Sequence, residues 1–156
     1  MPVAATKVRL ATLQMLIEGS KHAYPEAPNT VNMTDMPCWV TLTGPGSYPQ
    51  EGEQDEGEAG AMIVKVHRQY KMLLLAAPFG TGIAGEAERI AEPFIDRTKL
   101  FFASRPSLGG LDGLQSFFVT GDSGVSIITY QDTKYYGVSF DASVIEYEFF
   151  TYADLE

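Results

Sequence analysis

From Met62 to Ala77 the chain alternates without one turn signal. Val64, Val66, Tyr70, Met72 and Leu74 hold the even positions, and Lys65, His67, Gln69 and Lys71 the odd ones. A period of two sustained this long predicts a single strand with one buried and one wetter face. At about 3.3 Å per residue such a strand spans on the order of 50 Å. That exceeds what a compact core needs, so the strand is expected to outrun the core and reach into a neighbour. Arg68 interrupts the even face, and a bulge or a change of partner is expected there.

The elements around this strand follow from spacing and punctuation. Leu10, Leu13, Leu16 and Ile17 recur at helical intervals between Ala4 and Glu18, and Gly19 and Ser20 end that helix. Pro25 and Pro28 make Lys21 to Asn32 an extended connector, because proline lacks the amide donor a helix needs. Pro37 to Thr43 is rich in β-formers and reads as a strand. Beyond it, about 44–60, lies a stretch of Gly, Pro and acids with too little apolar surface to offset ordering entropy, so a flexible acidic loop or hairpin tip is expected.

After the long strand, Pro78 to Gly82 turns the chain. Ile83, Ala87, Ile90, Ala91, Phe94 and Phe101 then predict a helix from Ala84 to Ala103, kinked or divided at Pro93. The turn Arg105-Pro106-Ser107-Leu108-Gly109-Gly110-Leu111 follows. Leu114 to Thr120, Val125 to Tyr130 and Lys134 to Tyr152 read as three antiparallel strands, with a turn at Gly121 to Gly124 between the first two. The expected fold is therefore α+β, an antiparallel β-sheet with two main helices packed against it. With 156 residues, 45% of them hydrophobic, one core is affordable and a single domain over 1–156 is expected.

Composition excludes several function classes. No segment approaches the roughly 18 apolar residues of a membrane span, and Met1 to Ala5 lacks the pattern of a secretory signal, so a soluble, unexported protein is expected. Cys38 is the one cysteine, which rules out an internal disulfide. The chain carries 20 acidic and 11 basic residues, a net charge of -9, which disfavours groove-type nucleic-acid binding. Neither Lys nor Arg occurs between Lys21 and Lys65, and after Lys134 only acids appear. Such runs ordinarily keep a surface solvated.

Gly80-Thr81-Gly82-Ile83-Ala84-Gly85 has the G-x-G-x-x-G form between strand and helix that a dinucleotide turn requires. The acid that should hold a ribose about 20 residues on is missing: the next strand to end in an acid ends at Asp122. The glycines are expected simply to reverse the chain, with no cofactor bound. His22 and His67 stand alone, without metal-ligand spacing. Glu146 and Glu148 lie two apart on one strand face beside Phe149 and Phe150, and a solvent-facing or inter-subunit edge is expected for them. No active site is expected.

The whole order of elements carries a resemblance. The first helix, Ala23-Tyr24-Pro25, the strand led by Met36-Pro37-Cys38-Trp39-Val40, the Gly/acid loop, the long strand and its helix, Pro106 to Leu111 and the closing Tyr136-Gly137-Val138-Ser139-Phe140 together resemble the tail-terminator and related head-tail joining proteins of long-tailed bacteriophages. The resemblance implies a virion protein of the tail or neck, made in the host cytoplasm and not an enzyme. It implies a homo-hexameric ring that caps the tail tube, meets the tube protein and the head-tail connector or stopper, and lets DNA pass without specific binding or membrane contact. In that setting Lys65, Arg68 and Lys71, bases in an acid-rich neighbourhood, are expected to pair with acids across subunits, with Glu146 and Glu148 also at the interface. Glu51, Glu53, Asp55, Glu56 and Glu58 are expected to face the lumen or contact the ring, where an acidic wall repels DNA. The alternatives are another neck or tail-tube protein and a small nucleotide-dependent enzyme.

Overall fold

A computed structural model describes residues 2–48, 54–56, 61–80 and 82–151. Among the described residues two α-helices, α1 (Pro2–Gln14) and α2 (Ala84–Ala103), accompany six strands: β1 (His22–Tyr24), β2 (Cys38–Ser47), β3 (Gln54–Glu56), β4 (Ala61–Pro78), β5 (Leu114–Tyr130) and β6 (Thr133–Thr151). The sheet order is β1-β2-β4-β6-β5, with β3 paired to β4. This is an α+β fold, but the sheet is mixed rather than antiparallel. The connector expected after α1 dips into the sheet as β1, which runs parallel to β2 from His22 opposite Cys38 to Tyr24 opposite Val40.

The long strand is present as β4, 18 residues from Ala61 to Pro78, paired along its length with β6 from Ala61 opposite Thr151 to Pro78 opposite Tyr135. Its even face carries the buried Val66, and Tyr70, Met72 and Leu74, which are nearly or fully buried under the helices with Trp39, Phe94, Phe102, Phe117, Val138 and Phe140. The odd face is not uniformly wet. Leu73 and Leu75 join Met36, Cys38, Val40, Ile128, Tyr130 and Tyr135 in a second apolar cluster, against which Tyr24 and Val31 pack. The unbroken run Met72 to Ala77 therefore marks the part of β4 buried on both faces, as continuous apolar strands usually do.

Strands β5 and β6 replace the three expected after α2. Gly121 to Gly124 does not reverse the chain: β5 passes through it with register shifts at 119–121 and 122–125. Asp122 Oδ1 accepts the Gly124 N–H at 2.7 Å, and Ser123 Oγ accepts the Ser139 N–H at 3.0 Å. Side chains thus satisfy backbone that the bulged ladder leaves unpaired. The actual reversal is Gln131-Asp132, both at positive φ (49° and 64°), the two-residue hairpin geometry that matches strand twist.

Helix α2 has the expected bounds and continues through Pro93, but its buried face is Ala87, Ala91, Phe94, Thr98 and Phe102. Ile90, expected inside, is exposed. Helix α1 ends at Gln14, sooner than expected, and Leu16 is 65% exposed while Ile17 turns inward. Of the stretch expected as a loop at 44–60, residues 44–47 extend β2, Tyr48 follows it outside any strand, and Gln54–Glu56 form β3 on β4; the rest lies outside the described residues.

One consequence of the second cluster is measurable. Burial, and then the nearby Asp35 carboxylate, push the Cys38 thiol from 9.0 up to about 12, and burial with the Asp35 hydrogen bond raises Tyr24 to about 12. The folded chain holds these protons more tightly than the unfolded one, so their contribution is complete below about pH 9 and is lost as pH rises toward 12. Urea unfolding at stepped pH should show a loss on the order of 2–4 kcal/mol between pH 8 and pH 12, and Cys38→Ala should make that fall shallower. An equally steep fall in the variant would remove Cys38 from the account.

Candidate functional site

The residues expected at an interface do not gather on one surface. Lys65 and Lys71 occupy odd positions of β4, on the sheet face away from the helices, whereas Arg68 occupies the even, helix-covered face opposite Val144. Lys71 is exposed and lies across from Asp141, a cross-strand pairing of opposite charges. Lys65 is half-buried opposite Tyr147.

Arg68 is engaged within its own chain. The register between β2 and β4 slips between Thr43 and Gly46, so β2 carries the bulge that Arg68 was expected to cause in β4. Its Nη1 donates to the Gly44 carbonyl at 3.2 Å and its Nη2 to the Tyr48 hydroxyl at 3.3 Å. A Cβ at position 46 would stand 2.8 Å from the guanidinium carbon, so Gly46 makes room for this side chain. Arg68 thus ties down a β2 bulge, a task separate from any role between subunits.

Glu146 corrects the expectation of a solvent-facing edge. Strand β6 lies inside the sheet between β4 and β5, and Glu146, opposite Val66, is 1% exposed. Its Oε1 accepts hydrogen bonds from Thr6 Oγ1 at 2.9 Å and from the Tyr70 hydroxyl at 3.1 Å, while Oε2 is buried without a hydrogen-bond partner. Burial, with the Glu146 carboxylate adding to it, pushes the Tyr70 phenol well above its ordinary range. Glu148 follows two residues on, opposite Val64; its side chain, like those of Asp55 and Glu56 on β3, lies outside the described residues. Glu51, Glu53 and Glu58 lie outside them altogether.

A second buried polar contact lies along the same helix. Gln14 Nε2 donates to Thr41 Oγ1 at 3.0 Å, with Gln14 fully buried. Together, Thr6 to Glu146 and Gln14 to Thr41 fix α1 at two points across the sheet. These contacts are sealed from solvent and offer no reacting atom to a substrate. Sequence reasoning missed Thr6, Gln14 and Tyr70 as partners, yet Glu146 carried a signal. It continues the alternation Val138, Phe140, Ala142, Val144, and so belongs on the buried face.

The Gly80 to Gly85 turn joins β4 to α2, with Ile83 at the helix start making no side-chain cap. The strand that follows α2, β5, runs in the same direction as β4 but is separated from it by β6. A dinucleotide site instead requires the two parallel strands as neighbours around the phosphate-binding turn. Among the described residues no group of three His, Cys, Asp or Glu side chains is placed to hold a metal ion, and no helix is long and apolar enough to cross a membrane. A groove of about 380 Å³ is lined by Ala84, Glu88, Val125, Ile127 and Tyr136. No protein-family model and no curated protein matches the chain.

Proposed function

We propose that this chain is a structural protein of a long-tailed phage virion, a tail terminator whose hexameric ring caps the tube and meets the head-tail connector. The observation that carries the reading is the β4–β6 ribbon. Its β4 residues in the helix-covered core run from Tyr70 to Ala76, yet the ladder continues to Ala61 opposite Thr151 and takes on β3. An arm of two long strands and a three-residue third has little to hold it by itself in water, so an extension of this kind gains most from packing on a neighbour. The ring is formed by copies of this chain, its two faces serve the tube protein and the connector, and the acids of the β3 region repel the DNA that passes. The sealed polar contacts under α1 fit a protein whose work is assembly.

Electron microscopy of particles assembled without the chain tests this. Tails of irregular length and heads left unjoined are the expected result. Uniform tails joined to heads would overturn the reading.

A further inference from the structure

We propose that copies of this chain join head to tail by continuing the sheet, the free edge of β5 pairing antiparallel with the free edge of β1 on the next copy. The ring reading supplies the second copy as occupant, and the seam rests on it to that extent. The two edges are built for it in three respects.

First, β5 lacks the usual defences of an edge strand. Natural edges are shortened, charged or broken by proline. From Val125 to Tyr130 the chain has no charged residue and no proline, and it pairs with β6 from Val138 to Thr133 without a register shift. Among the described residues, the backbone bonds to β5 beyond its hairpin are Leu114 N to the Leu111 carbonyl and Phe117 N to the Pro106 carbonyl, both at the other end of the strand. Ile127 is 52% exposed beside the groove of Ala84, Val125 and Tyr136.

Second, the polarity is right. β1 runs with β2, β2 against β4, β4 against β6 and β6 against β5, so the two edge strands point in opposite directions. A neighbour placed beside the first in the same orientation therefore forms an antiparallel ladder, the slightly more stable kind. Ala23 and Ile127 both face the helix layer, so Ala23 opposite Ile127 keeps the two helix layers on one side. That register sets Lys21 opposite Thr129.

Third, charge chooses the partner edge. Glu86, Glu88, Asp122 and Asp132 are exposed around β5, with Arg89 on the same helix and Lys134 over the Phe79 ring as the bases beside them. Lys21 is exposed beside β1 and Lys7 on α1 lies near Pro25 and the exposed Glu26, while Glu18 is engaged by Arg97. A two-fold β5 to β5 contact would bring the same acids together on molecules of net charge -9; the head-to-tail contact sets them against an edge that carries Lys21 and Lys7. Head-to-tail contacts close into rings when the rotation allows.

The test is disulfide trapping of the purified full chain under mild oxidation, with Cys38 buried and out of reach. Lys21→Cys/Thr129→Cys should give a ladder of cross-linked oligomers on a non-reducing gel, and each single variant none. Adding Ile127→Lys to the pair, at an exposed site that leaves folding intact by circular dichroism, should abolish the ladder. No ladder from the pair, or a dimer from Thr129→Cys alone, overturns the seam. A ladder from protein whose absence leaves tails uniform keeps the seam and removes the tail-terminator reading. Irregular tails without any ladder do the reverse.

Discussion

Gly137→Ala is expected to destabilise the fold by about 3 kcal/mol or more, the largest effect of any single methyl group added here. Gly137 lies in β6 opposite Leu75 and Ser126, where β4 bulges between Leu75 and Ala77. A Cβ built at position 137 would collide with the Leu74 carbonyl oxygen and stand 3.2 Å from the Ile128 methyl. The obstacle is backbone in the most buried part of the sheet, so no side-chain rotation relieves it. Relief requires β4 and β6 to move apart where Leu74, Leu75 and Val138 are wholly buried. Denaturant unfolding of Gly137→Ala beside Gly121→Ala is the measurement, because a Cβ at 121 meets nothing within 4 Å. Equal midpoints for the two variants would show that the strands yield there without cost.

The same strand shows what a sequence can disclose. β4 was legible because its period of two persists through Lys65, His67, Gln69 and Lys71, and no helix tolerates that pattern. The bounds of α2 were legible from the turn before it and Arg105-Pro106 after it. Its phase was not. Apolar side chains at Ile90, Ile95, Leu100 and Phe101 surround the helix, and the register that buries Thr98 and Phe102 is decided by Phe117 and Trp39 on distant strands.

Short and non-local features were the hardest to see. β1 is three residues long, beside a proline, and owes its existence to β2, whose parallel pairing no local rule foretells. Gly121-Asp122-Ser123-Gly124 has the composition of a turn, but Asp122 and Ser123 use their side chains to carry a strand through it. The candidate site divided in the same way. Alternation alone sets Lys65 and Lys71 on one face and Arg68 on the other, whereas Arg68's carbonyl partner depended on a bulge in a strand 24 residues away.

Glu146→Ala is expected to cost about 3 kcal/mol, and Glu146→Gln no more than about 1 kcal/mol. The asymmetry follows from what each change leaves behind. Alanine opens a cavity and removes the buried acceptor that the Thr6 and Tyr70 hydroxyls share. Glutamine keeps an acceptor for both and removes a carboxylate whose second oxygen has no hydrogen-bond partner. Replacing the whole group at once, as Thr6→Val/Tyr70→Phe/Glu146→Leu, should therefore recover most of what alanine loses, since no polar atom is then stranded. Denaturant midpoints of the three variants decide the matter, and an alanine variant as stable as the glutamine one would refute it. Amide exchange adds the local consequence. Helix α1 is held by Thr6 to Glu146 at one end and Gln14 to Thr41 at the other, so in Glu146→Ala its first turns should exchange faster while β4 and β6 keep their protection. A glutamic acid on the most buried face of β6 thus positions the first helix against the sheet, which is why an acid occupies a position that the alternation of the strand reserves for an apolar residue.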